Sequence, residues 1–539
     1  MGVRFLFLTL IFGILFGLLG LNLFRLQILK RDYYFNKVQA RNEALTQLRM
    51  RRGQISFTDR YENRVNVASN KDRPVIYASP KEVADIQKTA EALSPILNLP
   101  VQELKDDMDD PRSSFHMVAE KVTPDQLDAI QNLNLKGIYQ DQKQYRFYPF
   151  ENVGAQMLGF VGLNKDTANP KGLYGVEKYY NDALADERDI QLTIDRILQP
   201  QAEEIISKLV TDHKAESGNI IIEEPRTGKI LAIAAYPNFN PNNYKDYPIK
   251  DFINSATQLV YEPGSVFKPL TMAAGIDAGL ITPSSTYTDY GRVTINGKTI
   301  TNWDHKAYGS GTTMTKVIER SINTGAVFVM QKIGRKIFYD YLKLFGLGAK
   351  TGVDLPDEVN GSLKNLERQN AQDVDYATAA YGQGTSVTPL QMINAFSVFA
   401  NGGLLMRPYV NAASGPFVVR RVVSEDTAKK VVEMMRSAVT KGGVAVIPQF
   451  NIAGKTGTAL IPDFVRGGYL PDDFIHTFIG MAPASNPKFV ILIKLEKPQA
   501  GKELAALTVV PAFRELATSV LNYLNVAPDN PSPSENNNH

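Results

Sequence analysis

The 539-residue chain contains no cysteine. That excludes disulfides, thiolate catalysis, iron–sulfur clusters and every zinc site built on sulfur. Histidine is scarce. The five are His116, His213, His305, His476 and His539, and no two stand at the H-E-x-x-H spacing that brings two ring nitrogens to one helix face. A histidine-based metal site is therefore not expected. An excess of charge of one sign is missing as well. The net charge is +3, and most Lys and Arg residues are interleaved with Asp and Glu, which gives no basic stripe for a nucleic acid. What is left is the composition of folded protein, with 44% apolar, 21% charged and 9% aromatic residues. The length exceeds one ordinary domain and suggests two or three.

One long apolar run is present. Phe5 to Phe24 reads FLFLTLIFGILFGLLGLNLF and carries no charged residue. About 20 residues of helix span roughly 30 Å, the thickness of a bilayer core. The run is long for a signal peptide, and Asn22, Phe24 and Arg25 do not resemble a cleavage site. We expect an uncleaved membrane anchor over residues 1–26. Gly13 and Gly17 stand as G-x-x-x-G. That spacing admits a second membrane helix, or else reflects the frequency of Gly in such helices. Arg4 alone precedes the run, whereas Arg25, Lys30, Arg31, Lys37 and Arg41 follow it. Taken alone, flanking charge would keep the rest of the chain in the cytoplasm, but long domains cross regardless of it. The chemistry argued below places the large part outside.

Beyond the anchor, residues 25–50 are expected to form a helical stalk, and RRGQISFTDRYENRVNVAS short strands and turns around Gly53. PKEVADIQKTAEALSPIL and TPDQLDAIQNL have amphipathic helical patterns, with Pro80 and Pro124 in the place of first-turn prolines. QLTIDRILQPQAEEIISKLV reads as a strand entering a long helix. GNIIIEEPRTGKILAIAAYPNF reads as two strands joined by the turn EPRTGK. The tail APDNPSPSENNNH is polar, rich in Pro and Asn, and expected to be disordered. The expected division is an anchor over 1–26, a non-catalytic region over 27–186, a mixed helix-and-sheet domain over 187–526, and a tail over 527–539.

The chemistry begins in YEPGSVFKPLTMAAGIDAGL. Glu262-Pro263-Gly264 breaks structure and helical periodicity starts near Val266. Ser265 then opens a helix, with Lys268 three residues on and on the same face. A serine hydroxyl is a poor nucleophile and needs a positioned base. A lysine held neutral by burial or by a neighbouring cation can be that base. The start of a helix also offers N–H groups for an oxyanion. Alone, S-x-x-K describes a helix cap and a surface lysine equally well. Two further segments add weight. ERSINTGAV gives Ser321 and Asn323 as S-x-N, which alone would be a helix cap or a simple turn. NIAGKTGTAL gives Lys455, Thr456, Gly457 and Thr458 on an expected strand, whose Gly would let a ligand approach the backbone, though alone the segment would equally be a polar strand edge or turn.

With these three segments in this order, the chain resembles the penicillin-binding proteins and serine β-lactamases, for which such a motif set is known. RRGQI, GLYGVEKYY, LTIDRILQ, TGKILAIAAYPNFNPNNY and YGQGTSVTPLQM extend the resemblance to the class B penicillin-binding proteins over nearly the whole chain. It departs from their pattern in the extra residues between Gly53 and Asp59, and in Asn63, which lacks the Gly that often follows it. The resemblance implies an α+β architecture: a single transmembrane helix, an elongated pedestal of dimerisation type, and a transpeptidase domain with an antiparallel sheet flanked by helices. It also implies that Ser265 attacks the D-Ala-D-Ala bond of a peptidoglycan stem peptide, with Lys268 as base. Ser321 would relay a proton, and Asn323 would orient Lys268 and hold the substrate amide. Lys455 would depress Lys268 and attract the substrate carboxylate, which the Thr456 and Thr458 hydroxyls would bind. The Ser265 and Thr458 N–H groups would form the oxyanion hole. β-Lactams would acylate Ser265, and no metal or organic cofactor would be needed.

The resemblance further implies a polytopic membrane glycan polymerase as partner, with other cell-wall synthesis proteins, and a catalytic domain outside the cytoplasmic membrane. The rival activities are a β-lactamase, a D,D-carboxypeptidase, and a non-enzymatic scaffold or β-lactam sensor. The E-x-x-L-N motif of class A β-lactamases is absent from GVDLPDEVNGSLKN, the full motif set argues against a dead scaffold, and about four residues before the span leave no cytoplasmic signalling part. Compact length leans toward a cell-division over an elongation enzyme.

Overall fold

A computed structural model describes residues 2–31, 51–110, 113, 115–163, 170–463, 465–500 and 504–530. Most of the expected stalk, residues 32–50, lies outside them, as does the tail from 531 onward. Within the described part of the tail, Asp529 accepts from the Asn451 N–H at 2.7 Å and from the Ser485 hydroxyl at 2.8 Å.

The chain forms two compact units. One comprises residues 1–52 and 69–147, the other 53–68 and 148–539. The expected boundary at 186 therefore differs from the compact units. Phe57, Ala155, Leu158, Phe160 and Val176 all belong to the apolar core of the larger unit.

The smaller unit opens on helix Gly2–Phe24, which continues as a turn of π-helix, Arg25–Leu29. The stretch Leu10–Leu29 is long and apolar enough to cross a membrane. Phe7, Phe12 and Phe16 on this helix are exposed, unlike the residues of a core helix. From Ser69 to Ala78 one strand pairs antiparallel with Ile138–Phe147. Pro124 does open a helix, Pro124–Asn132, behind a Thr123–Gln126 capping box. Pro80 does not. That helix starts at Ile86 because Asp85 is its N-cap, accepting from the Lys88 N–H at 3.0 Å, and it runs through Pro95 to Leu97. A short polar cap outweighs an upstream proline.

The larger unit is built on a five-stranded antiparallel sheet. Its order is Ala453–Pro462, Tyr469–Ala482, Phe489–Glu496, Ser217–Glu224, Lys229–Tyr236. The EPRTGK turn joins the last two strands, as expected from sequence. Side chains alternate between the two faces of a strand, and here both faces are buried. Ile220, Ile222, Ile491, Ile493 and Leu495 enter one core with helices Leu198–Asp212 and Ala505–Tyr523. Ile221, Val490 and Leu492 enter the other, with helices Lys268–Asp277, Asn323–Leu344, Pro389–Ala400 and Glu425–Gly442. Strand Ile190–Asp195 feeds helix Leu198–Asp212, as LTIDRILQ suggested. Ala453–Pro462 is the sheet edge, and its free side meets the turn that carries Ser265.

Candidate active site

Ser265 lies in a 3₁₀ turn, Gly264–Phe267, that runs directly into helix Lys268–Asp277. Residues i and i+3 eclipse in a 3₁₀ turn, so Lys268 stands over Ser265, and its amine is 3.1 Å from the Ser265 Oγ. Ser321 caps the end of helix Met314–Arg320 at φ +54, a left-handed conformation costing about 1–2 kcal/mol in a non-glycine residue. After Ile322 the chain re-enters helix at Asn323. This strained corner aims both Ser321 and Asn323 at Lys268.

Four acceptor atoms surround the Lys268 amine. They are the Ser321 carbonyl at 2.5 Å, Asn323 Oδ1 at 2.8 Å, and the hydroxyls of Ser321 and Ser265, both at 3.1 Å. A neutral amine has two N–H groups and one lone pair. The carbonyl and the amide oxygen can only accept, so they take the two N–H groups. The lone pair is left facing the hydroxyls. Lys268 is fully buried. Burial first, and the Lys455 ammonium second, hold its amine well below the usual lysine value. Lys455 is 4% exposed, and burial brings it down to about 7. Its amine donates to the Ser321 hydroxyl and to the Thr456 carbonyl, both at 3.0 Å. A Ser321 Oγ that accepts from Lys455 has its own proton to give elsewhere.

Ser265, Lys268, Ser321, Asn323 and Lys455 thus form one contiguous cluster. The remaining three expected residues lie on the edge strand. Thr458 lines the cleft above Ser265, and its hydroxyl accepts from the Ala505 N–H at 3.1 Å, which leaves its proton available. Thr456 serves Lys455 through its carbonyl. Gly457 also has a packing role that the sequence did not show. A Cβ there would lie 3.0 Å from the Pro263 carbonyl and 3.1 Å from Val266 Cγ1. The absence of a side chain there permits the close approach of the Ser265 turn.

The cleft has a volume of about 370 Å³. Ser265, Asn323 and Thr458 open onto it, and its walls include Thr301, Trp303, Tyr381 and Gln383, none of which the motifs had singled out as site residues. Glu262 was also missed. Its carboxylate accepts from the Gly384 N–H at 3.0 Å and from the Tyr469 hydroxyl at 2.9 Å. It thereby ties the Ser265 turn to the YGQG loop and to the far end of the edge hairpin. The YGQG segment had been noticed only as a mark of resemblance.

A serine paired with a buried amine held well below the usual lysine value, at the edge of an antiparallel sheet that supplies a second lysine, defines a serine acyltransferase of the penicillin-recognising type. The penicillin binding protein transpeptidase domain matches residues 218–516, and the penicillin-binding protein dimerisation domain matches residues 49–221. The peptidoglycan D,D-transpeptidase FtsI of Escherichia coli K12 is 30% identical over 543 residues, which cover 94% of this chain and 89% of that protein. Stage V sporulation protein D of Bacillus subtilis is 29% identical over 512 residues, covering 86% of this chain and 78% of that protein. The crystal structure of penicillin binding protein 3 from Mycobacterium tuberculosis, complexed with aztreonam, superposes with a TM-score of 0.68 at 25% identity. It covers 89% of this chain and 98% of that one. The chain belongs to the class B penicillin-binding proteins.

Proposed function

We propose that this protein is a membrane-anchored peptidoglycan D,D-transpeptidase whose nucleophile is Ser265, with 27–186 as pedestal and 187–526 as catalytic part. The observation that carries the reading is the Lys268 amine, buried and low in pKa, with its lone pair left for a hydroxyl 3.1 Å away. Lys268 takes the Ser265 proton as Oγ attacks the carbonyl of the penultimate D-Ala. The developing oxyanion lies against the N–H groups of Ser265 and Thr458. The C–N bond breaks, and the departing D-Ala amine receives a proton through the Ser321 hydroxyl. An amine of a neighbouring stem peptide then attacks the ester, forms the cross-link and frees Ser265. Lys455 and the Thr456 and Thr458 hydroxyls hold the substrate's terminal carboxylate, and Asn323 holds its amide. β-Lactams acylate the same oxygen.

The uncleaved N-terminal helix serves as anchor and the catalytic unit lies outside the cytoplasmic membrane, where stem peptides are cross-linked. A polytopic glycan polymerase is the partner, and the setting is cell division, supported by the FtsI relative. Labelling with a fluorescent penicillin tests the central claim. Wild type retains a covalent label and Ser265→Ala does not. A labelled Ser265→Ala overturns the nucleophile, and rapid loss of label from wild type points to a β-lactamase. Depletion yielding rounded cells instead of filaments overturns the division setting.

A further inference from the structure

The helix that carries Asn323 lacks a local cap. Its N-cap residue is Ile322, whose side chain offers no acceptor, although a helix start leaves N–H groups in need of one. The acceptor arrives from another segment. Asn302 Oδ1 accepts from the Thr324 N–H at 3.2 Å. Asn302 in turn donates through Nδ2 to Asp289 Oδ2 at 3.0 Å and to the Lys306 carbonyl at 2.9 Å. Asp289 and Asn302 are each 1% exposed.

The Asp289 carboxylate is enclosed by donors. Besides Asn302 it accepts from the Thr324 hydroxyl at 2.6 Å, the Gly291 N–H at 3.0 Å and the Tyr308 N–H at 2.9 Å. The single proton of Thr324 goes to this near acceptor, so its oxygen is left to accept from the Tyr287 hydroxyl at 3.0 Å. A negative charge so bonded tolerates burial, and it sits where a helix N-terminus favours an anion. The neighbouring Thr301 carbonyl completes the arrangement by accepting from Asn323 Nδ2 at 2.9 Å. A carbonyl can only accept, so this bond decides that Oδ1 of Asn323, not Nδ2, faces the Lys268 amine.

We infer that Asp289 and Asn302 are positioning residues for acylation, which fix the start of the Asn323 helix and the orientation of the Asn323 amide, and through it the lone pair of Lys268 toward Ser265. The inference rests on Ser265 being the acylated residue. Neither Asp289 nor Asn302 is hydrogen-bonded to Ser265 or Lys268. Asn302 borders the cleft, but its side chain is buried and its polar atoms are engaged by Thr324, Asp289 and Lys306, so its route to Lys268 runs through Asn323.

The test measures the rate constant of acylation by a fluorescent penicillin in the full-length protein. Asn302→Ala, Asp289→Asn and Thr324→Val are each made in the wild-type and in the Asn323→Ala background. In the wild-type background each slows acylation by roughly 10- to 100-fold, the scale of a small misplacement of a reacting group. In the Asn323→Ala background the same changes slow it further by less than about twofold, because residues that act through one partner are not additive. Wild-type rates in the single variants overturn the inference, and so do losses that multiply with that of Asn323→Ala. If Asn302→Ala and Asp289→Asn do not fold, Thr324→Val, which exchanges only the hydroxyl for a methyl group, decides the matter by the same cycle. Wild type that takes up no label, or a Ser265→Ala variant that does, overturns the nucleophile instead, so the two failures are distinguishable.

Discussion

The N–H of Gly264 donates to the carbonyl of Gly382 at 3.0 Å, so the turn bearing Ser265 hangs from the YGQG loop. Gly382 has φ +84, and a Cβ there would lie 2.2 Å from the Gly264 carbonyl oxygen. Backbone cannot yield as a flexible side chain can, so Gly382→Ala must move the Ser265 turn. We expect acylation by a fluorescent penicillin to fall by roughly 100-fold, and the strained conformation to cost about 1–3 kcal/mol of stability. A folded Gly382→Ala protein acylated at the wild-type rate would show that the contact does not set the turn.

Much of this architecture was legible in the sequence because it is local. The EPRTGK hairpin, the strand-to-helix passage at LTIDRILQ and a helical start near Ser265 each follow from turn residues and periodicity over a few positions, although the helix proper begins at Lys268 and Ser265 stands in a 3₁₀ turn before it. The pairing of Ser265 with Lys268 is an i, i+3 relation and was readable for the same reason. The Pro80 expectation failed on a local competition, which Asp85 wins as a cap. What the sequence did not disclose depends on convergence. Gly382 meets Gly264, Asn302 caps a helix begun at Asn323, and Glu262 ties three segments together. None of these contacts has a spacing, so no motif announces them. Gly457 shows the mixed case, since a close approach there was readable but its packing against Pro263 and Val266 was not.

Lys455 should be costly to the fold. Its amine titrates near 7 when folded, against 10.5 when exposed. Below pH 7 the folded protein buries an ammonium, above pH 10.5 neither state carries the charge, and the penalty fades between the two. Lys455→Met removes the titrating group. We expect the variant to gain about 1–2 kcal/mol over wild type near neutral pH. The gain should be greatest below pH 7 and vanish as pH approaches 10.5, while acylation is lost. Denaturant unfolding of both proteins across this range checks it. A difference that does not vary with pH would mean that Lys455 is not held against its charge.

Glu262 separates geometry from charge near Ser265. Its two oxygens accept from the Gly384 N–H and the Tyr469 hydroxyl, and burial raises its pKa. Glu262→Gln retains one oxygen for the Gly384 N–H, and its NH₂ can donate to the Tyr469 oxygen, so both ties survive. Glu262→Ala leaves the half-buried Gly384 N–H without its acceptor, at about 1–3 kcal/mol, and releases the exposed Tyr469 hydroxyl to water. We therefore expect acylation to be nearly unchanged in Gln and to fall by roughly 10-fold in Ala, the effect of a loosened turn. Stability supplies an independent sign. A carboxyl whose folded pKa is raised binds more protons in the folded state, so wild-type stability falls as pH rises from the unfolded carboxylate value toward the folded one. Glu262→Gln does not titrate and should gain on wild type across that window. Equal loss of acylation in Gln and Ala would mean that the negative charge, and not the pair of acceptors, is what the Ser265 turn requires.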